Sequence, residues 1–414
     1  MAQENKTSSF LPIVFLVVFI DLVGIGIVIP LFAPLFLSAN SPIDLPFQSK
    51  TIILGLLLAT YPLAQFFGAP IIGAWSDHVG RKKAYLVSIA GTCIGYIVFA
   101  FAVMTINLPL MFLGRVIEGF FAGNISVAFS TIADISDQKS KAKNFGLIGM
   151  AFGFGFIIGP FIGGKLSDPS VISWFNLSTP FLFAALLCAL NFVLVFLIFK
   201  ETLKHSVNSK LSLFTGIRNI KKAFAMPNLS TMFTVIFLLA FGFSFFTQFF
   251  QVYLVEKFNF TQGMIGDLFA FIGICIAFTQ GVIVRVVAKY FSPAKALSFS
   301  MFLVAPVFLL LLLPDTPAGI YLFIPLIPLF NGISFPNYTA IISGLADPKS
   351  QGEVMGINQS LQSIAIAVPA ILAGFIAAFD VRLPIIAAFI VTLVAAILFN
   401  TKFRAEKKEL FHEV

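Results

Sequence analysis

Residues 10–37 read FLPIVFLVVFIDLVGIGIVIPLFAPLFL, and Asp21 is the only charged side chain in this run of 28 residues. A helix needs about 20 mostly apolar residues to cross the hydrocarbon core of a bilayer. The run is too long for the apolar core of a signal peptide and lacks a small-residue cleavage pattern. It therefore predicts a retained, membrane-spanning first helix.

Similar apolar runs fill most of the chain. Hydrophobic residues make up 59% of the sequence and charged residues only 11%, whereas an ordinary soluble domain has roughly 25% charged residues. The mean hydropathy is +1.00. This composition predicts an all-α, polytopic membrane protein with twelve transmembrane helices. The predicted spans cover approximately residues 10–37, 50–74, 82–105, 109–133, 144–165, 176–199, 230–254, 263–288, 294–313, 318–345, 354–378 and 382–400.

The basic residues predict the orientation of these spans. The net charge is +8, and with a cytoplasmic N-terminus 21 of the 26 basic residues fall on the cytoplasmic side. This asymmetry follows the positive-inside rule and predicts that both termini are cytoplasmic. Because the charge is explained by topology, we expect no nucleic-acid partner. We predict that the protein lies in a bacterial inner membrane. Cys93, Cys188 and Cys275 lie inside apolar runs, so we expect neither a disulfide nor a metal site.

A polar, basic stretch divides the predicted spans into two groups of six. We predict an N-terminal bundle at 1–200, a cytoplasmic linker at 201–228 and a C-terminal bundle at 229–414. Asp137-Gln138-Lys139-Ser140 recurs as Asp347-Pro348-Lys349-Ser350, each copy between the fourth and fifth helices of its half. Two pseudo-symmetric six-helix bundles are typical of secondary transporters, whose substrate site lies between the repeats.

Away from the ends of the predicted spans, the first half has three charged residues: Asp21 in helix 1, and Arg115 and Glu118 in helix 4. A charge at the bilayer centre costs about 2.5–3.5 kcal/mol even on the lenient insertion scale. Arg115 and Glu118 are three residues apart, so they can pair on one helix face, and Asp21 could reach them. The cluster could fix helix packing. Alternatively, one or both carboxylates take up and release a proton, with the charge of Arg115 setting their proton affinity.

Two further stretches combine glycine with charge or proline. The sequence GAWSDHVGRKK at 73–83 joins helices 2 and 3, where Gly80 permits a tight turn and Asp77 can cap the next helix or pair with a cation across a cytoplasmic interface. The sequence GFGFIIGPFIGG at 153–164 lies in helix 5 and repeats glycine every four residues. Such a stripe lets another helix approach closely and could be the seam along which the halves rock.

These motifs resemble those of the major facilitator superfamily. Residues 73–83 are similar to its loop signature, and 153–164 are similar to its antiporter motif. Leu113-Gly114-Arg115 with Gly119 resembles its fourth-helix motif, which carries the arginine of proton coupling. The first-helix motif of its twelve-helix drug/proton antiporters is similar to Asp21 with Gly24, Gly26 and Pro30.

Within that superfamily, the chain resembles the tetracycline-resistance-like exporters, which share Ile132-Ala133-Asp134 at the end of helix 4. The resemblance implies the major facilitator fold and alternating access driven by inward proton movement, with no cofactor. It implies that Asp21, Arg115 and Glu118 carry the coupling. A cytoplasmic gate motif would comprise Gly73, Asp77, Gly80, Arg81, Lys82 and Asp134. The antiporter motif of helix 5 would comprise Gly155, Gly159, Pro160, Gly163 and Gly164.

One departure from the exporters concerns the substrate. Tetracycline exporters also place acids in helices 3 and 9, whereas this chain has none at 84–104 or 294–313. A cationic metal–drug chelate is therefore disfavoured.

Polar amides within the spans are candidate substrate contacts, because each needs a partner in a dry environment. Interhelical hydrogen bonding explains them equally well. With 53 phenylalanines in the chain, such a pocket suits an amphipathic, largely hydrophobic solute. The candidate residues are Gln65, Asn124, Gln248, Gln251, Asn331, Asn358 and Gln362.

We therefore predict a secondary active transporter, functional as a monomer, that exports an amphipathic small molecule in exchange for protons. The alternative is a proton-coupled transporter of a metabolite or siderophore, in either direction. An intramembrane enzyme is disfavoured, because His78, His205 and His412 all lie in predicted loops or the tail. A sensor that no longer transports would be expected to lose the buried charges, which are present.

Overall fold

The computed structural model describes residues 2–135, 141–203, 215–226, 229–345 and 351–407. The short repeat at 137–140 and 347–350, and much of the predicted linker, lie outside these residues. In the described part of the chain all regular structure is helical. Eleven of the described helices are long and apolar enough to cross a membrane, judged by length and composition.

We number the spanning helices α1 to α12, and their order agrees with the twelve predicted spans. The remaining one is α5, of which Gly153–Leu166 forms a shorter apolar helix that is not among the eleven. A separate helix, Thr215–Ala225, precedes α7. The bounds are α1 Leu11–Leu37, α2 Phe47–Val79, α3 Arg81–Met104, α4 Leu108–Ile132, α5 Lys141–Leu166, α6 Thr179–Ile198, α7 Ser230–Phe258, α8 Gln262–Tyr290, α9 Pro293–Leu310, α10 Pro317–Leu345, α11 Gln351–Ala377 and α12 Leu383–Glu406.

Several spans are interrupted, and the first two interruptions lie near buried polar residues. In α1, a 3₁₀ turn at Ile29–Leu31 contains Pro30, which cannot donate a backbone hydrogen bond. In α4, the helix Leu108–Phe121 ends in a turn before the helix Asn124–Ile135 begins. A π-helical turn at Thr279–Ile283 interrupts α8. Irregular backbone at membrane depth is tolerated where protein or a cavity surrounds it.

The chain divides into two compact units. The first comprises Met1–Leu35, Thr60–Thr215 and Thr261–Ala270, and the second comprises Phe36–Ala59, Gly216–Phe260 and Phe271–Val414. Each unit therefore consists mainly of one half of the chain, while α2 and α8 contribute residues to both. The boundaries at 200 and 229 stay a prediction.

Within the first unit, α1 packs on α5 and α6, and α3 packs on α4 and α6. Within the second, α7 packs on α11 and α12, and α9 packs on α10 and α12. Aromatic residues fill much of this second core: Phe233, Phe399 and Phe403 are almost fully buried. Two phenylalanines of α7, Phe249 and Phe250, are also buried, so their rings serve packing.

Candidate functional site

Asp21 lies in a clamp of amides formed by three helices of the first unit. Its Oδ1 accepts a hydrogen bond of 2.8 Å from Asn191 Nδ2 in α6. Its Oδ2 accepts from Asn124 Nδ2, the first residue after the break in α4. Asn191 is fully buried and its Nδ2 also donates to the Val17 carbonyl oxygen at 3.0 Å. The clamp surrounds a half-buried carboxylate with amide donors, and in the described part of the chain Asp21 forms no ion pair with a cation.

A small cavity adjoins the Asp21 carboxylate. About 10 Å³ of it is open to the centre of a water molecule, which is roughly the space that one water needs. Its polar lining comes from Asp21, Tyr61, Thr92, Tyr96 and Asn124. The cavity therefore has room for about one water molecule beside the carboxylate.

Arg115 and Glu118 form a second buried group in α4. Arg115 Nη1 donates to Glu118 Oε2 at 2.6 Å, which confirms the predicted local pair. The guanidinium lies over two aromatic rings, with its Cζ 5.0 Å from the ring centre of Phe32 and 4.6 Å from that of Tyr61. Glu118 is 1% exposed and packs on Gly95, where a Cβ would lie 2.6 Å from its Cγ. Stacking on aromatic faces stabilises a desolvated cation, so the pair is held on several sides.

The two groups are neighbours rather than one network. In the described part of the chain, no hydrogen bond or ion pair joins Asp21 to Arg115 or Glu118, so the reach expected of Asp21 is not realised here. Tyr61 connects them, because it lines the Asp21 cavity and also stacks on Arg115. Among the described residues, several buried atoms of this region have no hydrogen-bond partner, namely Arg115 Nε, Glu118 Oε1, Asn191 Oδ1 and the Tyr61 hydroxyl.

Sequence reasoning missed Asn191, Tyr61 and Tyr96. A signal for Asn191 was present, since it is the only amide in the otherwise apolar Thr179–Ile198. The two tyrosines gave no such signal, because an aromatic residue in a membrane span is most often a packing residue.

The predicted amide contacts divide between the two units. In the first, Asn124 binds Asp21, while Gln65 Nε2 makes a long contact of 3.5 Å with the Ala122 carbonyl oxygen at the break in α4. In the second, Gln251 and Asn358 are buried and each leaves its side-chain oxygen without a hydrogen-bond partner.

The remaining three predicted contacts belong to the second unit. Gln362 Nε2 lies 3.5 Å from the Tyr338 hydroxyl. Gln248 and Asn331 are half-buried. A role in binding substrate stays a prediction for all seven amides.

The loop motif forms a compact polar network in the first unit. Arg81 Nη1 pairs with Asp77 Oδ1 at 2.5 Å, and Arg81 Nε pairs with Asp134 Oδ2 at 2.9 Å. The guanidinium also donates to the Ser76 hydroxyl, and Arg81 is only 4% exposed. Asp77 therefore does not cap α3 and pairs with Arg81 of its own unit. A partner across a cytoplasmic interface stays a prediction.

Glu201 caps α3 instead. Its Oε1 accepts from the Arg81 backbone N–H at 2.8 Å, and its Oε2 accepts from that of Lys82 at 3.1 Å. Gly80 has φ +96°, and a Cβ there would collide with the Glu201 carboxylate. Lys82 Nζ donates to the Phe196 carbonyl oxygen at 2.8 Å. The sequence placed Glu201 in the linker, because contacts 120 residues apart leave no local pattern.

The network therefore joins the ends of α2, α3, α4 and α6. A buried cation, two carboxylates and a carboxylate cap at a helix N-terminus reinforce one another electrostatically. In this structure the motif links helices of its own unit.

The glycine stripe of α5 packs closely against α1. A Cβ on Gly159 would lie 2.6 Å from Gly26 Cα, one on Gly155 would lie 2.6 Å from Leu22 Cβ, and one on Gly163 would collide with the Ile27 carbonyl. Gly164 and Pro160 instead approach Gly266 at the start of α8. Close packing is thus the role that the structure displays, and a role of the stripe in rocking of the halves stays a prediction.

Apolar spanning helices that bury carboxylates, amides and a cation–aromatic stack in one unit define a multi-pass membrane transporter. The sequence profile of the Major Facilitator Superfamily matches residues 14–370 and 232–411. The chain belongs to this superfamily. It is therefore a membrane-embedded transporter of small molecules and not an enzyme.

Individual relatives agree with this assignment. The class C tetracycline resistance protein of Escherichia coli is 30% identical over 90% of this chain and 91% of its own. The quinolone resistance protein NorA of Staphylococcus aureus (strain COL) is 32% identical over 95% of this chain and 96% of its own. The solved structure of the human organic anion transporter MFSD10 matches with a TM-score of 0.71 at 23% identity, over 95% of this chain and 99% of that chain. The predicted family and fold class are confirmed, while the cargoes these names state differ.

Proposed function

We propose that this transporter is a proton-coupled antiporter that exports an amphipathic, largely hydrophobic small molecule by alternating access. The observation that carries the proposal is the Asp21 clamp: a carboxylate held by two amides beside a cavity of water size. The relatives named for tetracycline and quinolone resistance support the direction and the class of solute.

The clamp suits a carboxylate that gains and loses a proton. Asn191 donates to the ionised form through Nδ2, and its Oδ1 has no partner. Rotating the amide would offer that oxygen to a protonated Asp21 as an acceptor. Glu118 Oε1, also without a partner, is a second place for a proton. Protonation of Asp21 would thus exchange the Asn191 Nδ2 hydrogen bond to the Val17 carbonyl oxygen for one from the acid, without moving the helices apart.

In this proposal Arg115 keeps the positive charge of the site fixed while a carboxylate changes charge. The gate motif keeps the ends of four helices moving as one body.

We place the protein in a bacterial inner membrane with cytoplasmic termini, as a functional monomer powered by the proton gradient alone. The alternative is proton-coupled movement of a metabolite or siderophore in either direction, since the clamp serves coupling and does not select cargo.

The test uses purified protein in proteoliposomes with an acidic lumen. A panel of fluorescent amphipathic dyes reports solute uptake, and a pH-sensitive dye reports proton release. We expect Asp21→Asn and Glu118→Gln to abolish uphill uptake while leaving downhill dye exchange intact. The matched control is Asp44→Asn, because Asp44 is an exposed acid away from the clamp.

The results distinguish proton coupling from a purely structural role of the charges. Unchanged uphill accumulation in both variants would contradict the proposal that Asp21 and Glu118 couple transport to protons. Loss of downhill exchange together with a lowered unfolding temperature would indicate that the charges only hold the helices together. Uptake that an imposed pH gradient leaves unaffected in the wild type would refute proton coupling itself.

A further inference from the structure

The connection between α5 and α6, residues 167–178, presents apolar side chains at the surface of the first unit. Val171 is 51% exposed, Ile172 is 41% exposed and Trp174 is 66% exposed. Exposed apolar residues within the spans face lipid, but these three lie beyond the end of α5 at Leu166 and before the start of α6 at Thr179. Their exposure therefore needs an explanation of its own.

The connection is an ordered series of turns. The Ser170 backbone N–H donates to Asp168 Oδ1 at 2.8 Å, and the Phe175 backbone N–H donates to the Ile172 carbonyl oxygen at 2.9 Å. Phe175 is buried, and its ring lies edge-on to that of Trp174 with 4.6 Å between the ring centres. The buried ring therefore fixes the turn to the unit while Trp174 stays exposed.

The position of the connection places this surface at the level of a membrane interface. Since α6 comprises 20 residues, its ends lie about 30 Å apart, which is the thickness of the hydrocarbon core. Lys82 of the gate motif contacts the Phe196 carbonyl oxygen near the far end of α6, so the connection and the gate motif lie at opposite ends of this helix. Exposed leucines at spacings of four residues form the lipid-facing side of α6, namely Leu182, Leu186 and Leu190. The apolar surface of the connection thus continues along the chain into a lipid-facing helix.

The charge and the residue types of the connection favour lipid as the partner. Asp168 is its only charged residue, and Lys165 at the end of α5 pairs with Asp267 at 2.9 Å. Tryptophan is enriched at membrane–water interfaces, because its ring is apolar and its N–H can donate to a polar neighbour. The segments outside the described residues all belong, by the predicted topology, to the opposite side of the membrane.

We propose that residues 171–174 insert into the membrane interface, with the Trp174 ring at the level of the lipid headgroups and Val171 and Ile172 against the upper acyl chains. By the positive-inside distribution, this interface belongs to the outer leaflet. The connection has no basic side chain that would select an anionic headgroup, so its partner is the phospholipid surface in general. This contact depends neither on the cargo nor on proton coupling.

Tryptophan fluorescence of the full-length protein in phosphatidylcholine nanodiscs tests the contact. The chain has two tryptophans, so Trp75→Phe leaves Trp174 as the only one. We expect phosphatidylcholine brominated in the upper acyl chain to quench Trp174 strongly, and iodide in the buffer to quench it several times less than in the control. The matched control is Asp315→Trp with Trp75→Phe and Trp174→Phe, since Asp315 is exposed on another connection predicted to be outside. If Trp75→Phe does not fold, the difference between the wild type and Trp174→Phe gives the same signal.

A second variant tests the apolar neighbours of Trp174. Val171→Ser with Ile172→Ser should weaken the quenching by brominated lipid and strengthen the quenching by iodide. The unfolding temperature should stay near that of the parent protein, because both side chains are exposed. Unaltered quenching in this variant would contradict the insertion of residues 171 and 172.

Two further results would overturn the membrane contact. In the first, iodide quenches Trp174 as strongly as the control and brominated lipid does not quench it, which would leave this surface in water and free for a protein partner. In the second, brominated lipid quenches Trp174 only when phosphatidylglycerol is present and salt abolishes the effect, which would indicate electrostatic adsorption in place of apolar insertion.

Discussion

At the scale of single residues, the first unit holds its ionisable groups in two different ways. Asp21 is held by neutral amides, whereas Glu118 is paired with a cation that lies over two aromatic rings. A neutral clamp adapts to a change of charge, while an ion pair resists it. This difference makes Asp21 the better candidate for the residue that titrates during transport.

Removing Asn191 tests the importance of the clamp. Asn191→Ala deletes a hydrogen bond to a buried carboxylate, and such bonds contribute about 1–3 kcal/mol. We expect a lower free energy of unfolding by about that amount and slower proton-coupled uptake, measured by thermal unfolding in detergent and by proton flux in vesicles. Leu190→Ala, a lipid-facing neighbour, is the control. Wild-type flux and stability in Asn191→Ala would show that Asn124 alone is sufficient.

At the scale of the helices, the first unit depends on close approaches that side chains would obstruct. The α5 stripe brings its backbone against α1, and Gly80 permits the turn that lets Glu201 cap α3. Small residues allow this contact where the hydrophobic effect cannot drive helices together within lipid.

Glycines of α5 provide a matched pair for testing this packing. A Cβ on Gly163 would collide with the Ile27 carbonyl, whereas one on Gly153 would meet nothing within 4 Å. We therefore expect Gly163→Ala to lower the unfolding temperature and the folded yield. Gly153→Ala should be neutral or stabilise the helix by up to about 1 kcal/mol, since alanine favours helix more than glycine. Equal effects of the two substitutions would contradict close packing at the stripe.

The gate motif is tested through Asp77. Asp77→Asn removes one of two carboxylates on Arg81 but retains Asp134 and the Glu201 cap. We expect turnover in proteoliposomes to fall while the unfolding temperature stays near that of the wild type. Lys83→Gln, an exposed change in the same loop, is the control. A wild-type turnover rate in Asp77→Asn would contradict a role of Asp77 in the gate motif.

At the scale of the whole molecule, the distribution of charge predicts how the protein is inserted. The connections that hold most Lys and Arg alternate with connections that are nearly free of them. This alternation predicts one orientation for the entire chain, because the helices are inserted together.

Labelling in intact cells tests this orientation. In a background without Cys93, Cys188 and Cys275, we expect Asp44→Cys to react with an impermeant maleimide added outside. Lys221→Cys, on the exposed side of the helix before α7, should react only after permeabilisation. The opposite pattern would invert the predicted topology.

Periodicity and composition alone were sufficient for the twelve spans and for the Arg115–Glu118 pair, since spanning length and i,i+3 spacing are local properties. The motif residues were also evident from the sequence, because charges are rare in spans and the glycines of α5 repeat every four residues. The partners of those residues were not. Asn191 reaches Asp21 across 170 positions, and Glu201 reaches Arg81 across 120. Only tertiary packing brings such residues together, because hydrogen-bond geometry depends on how the helices lie against one another and not on any pattern along the chain.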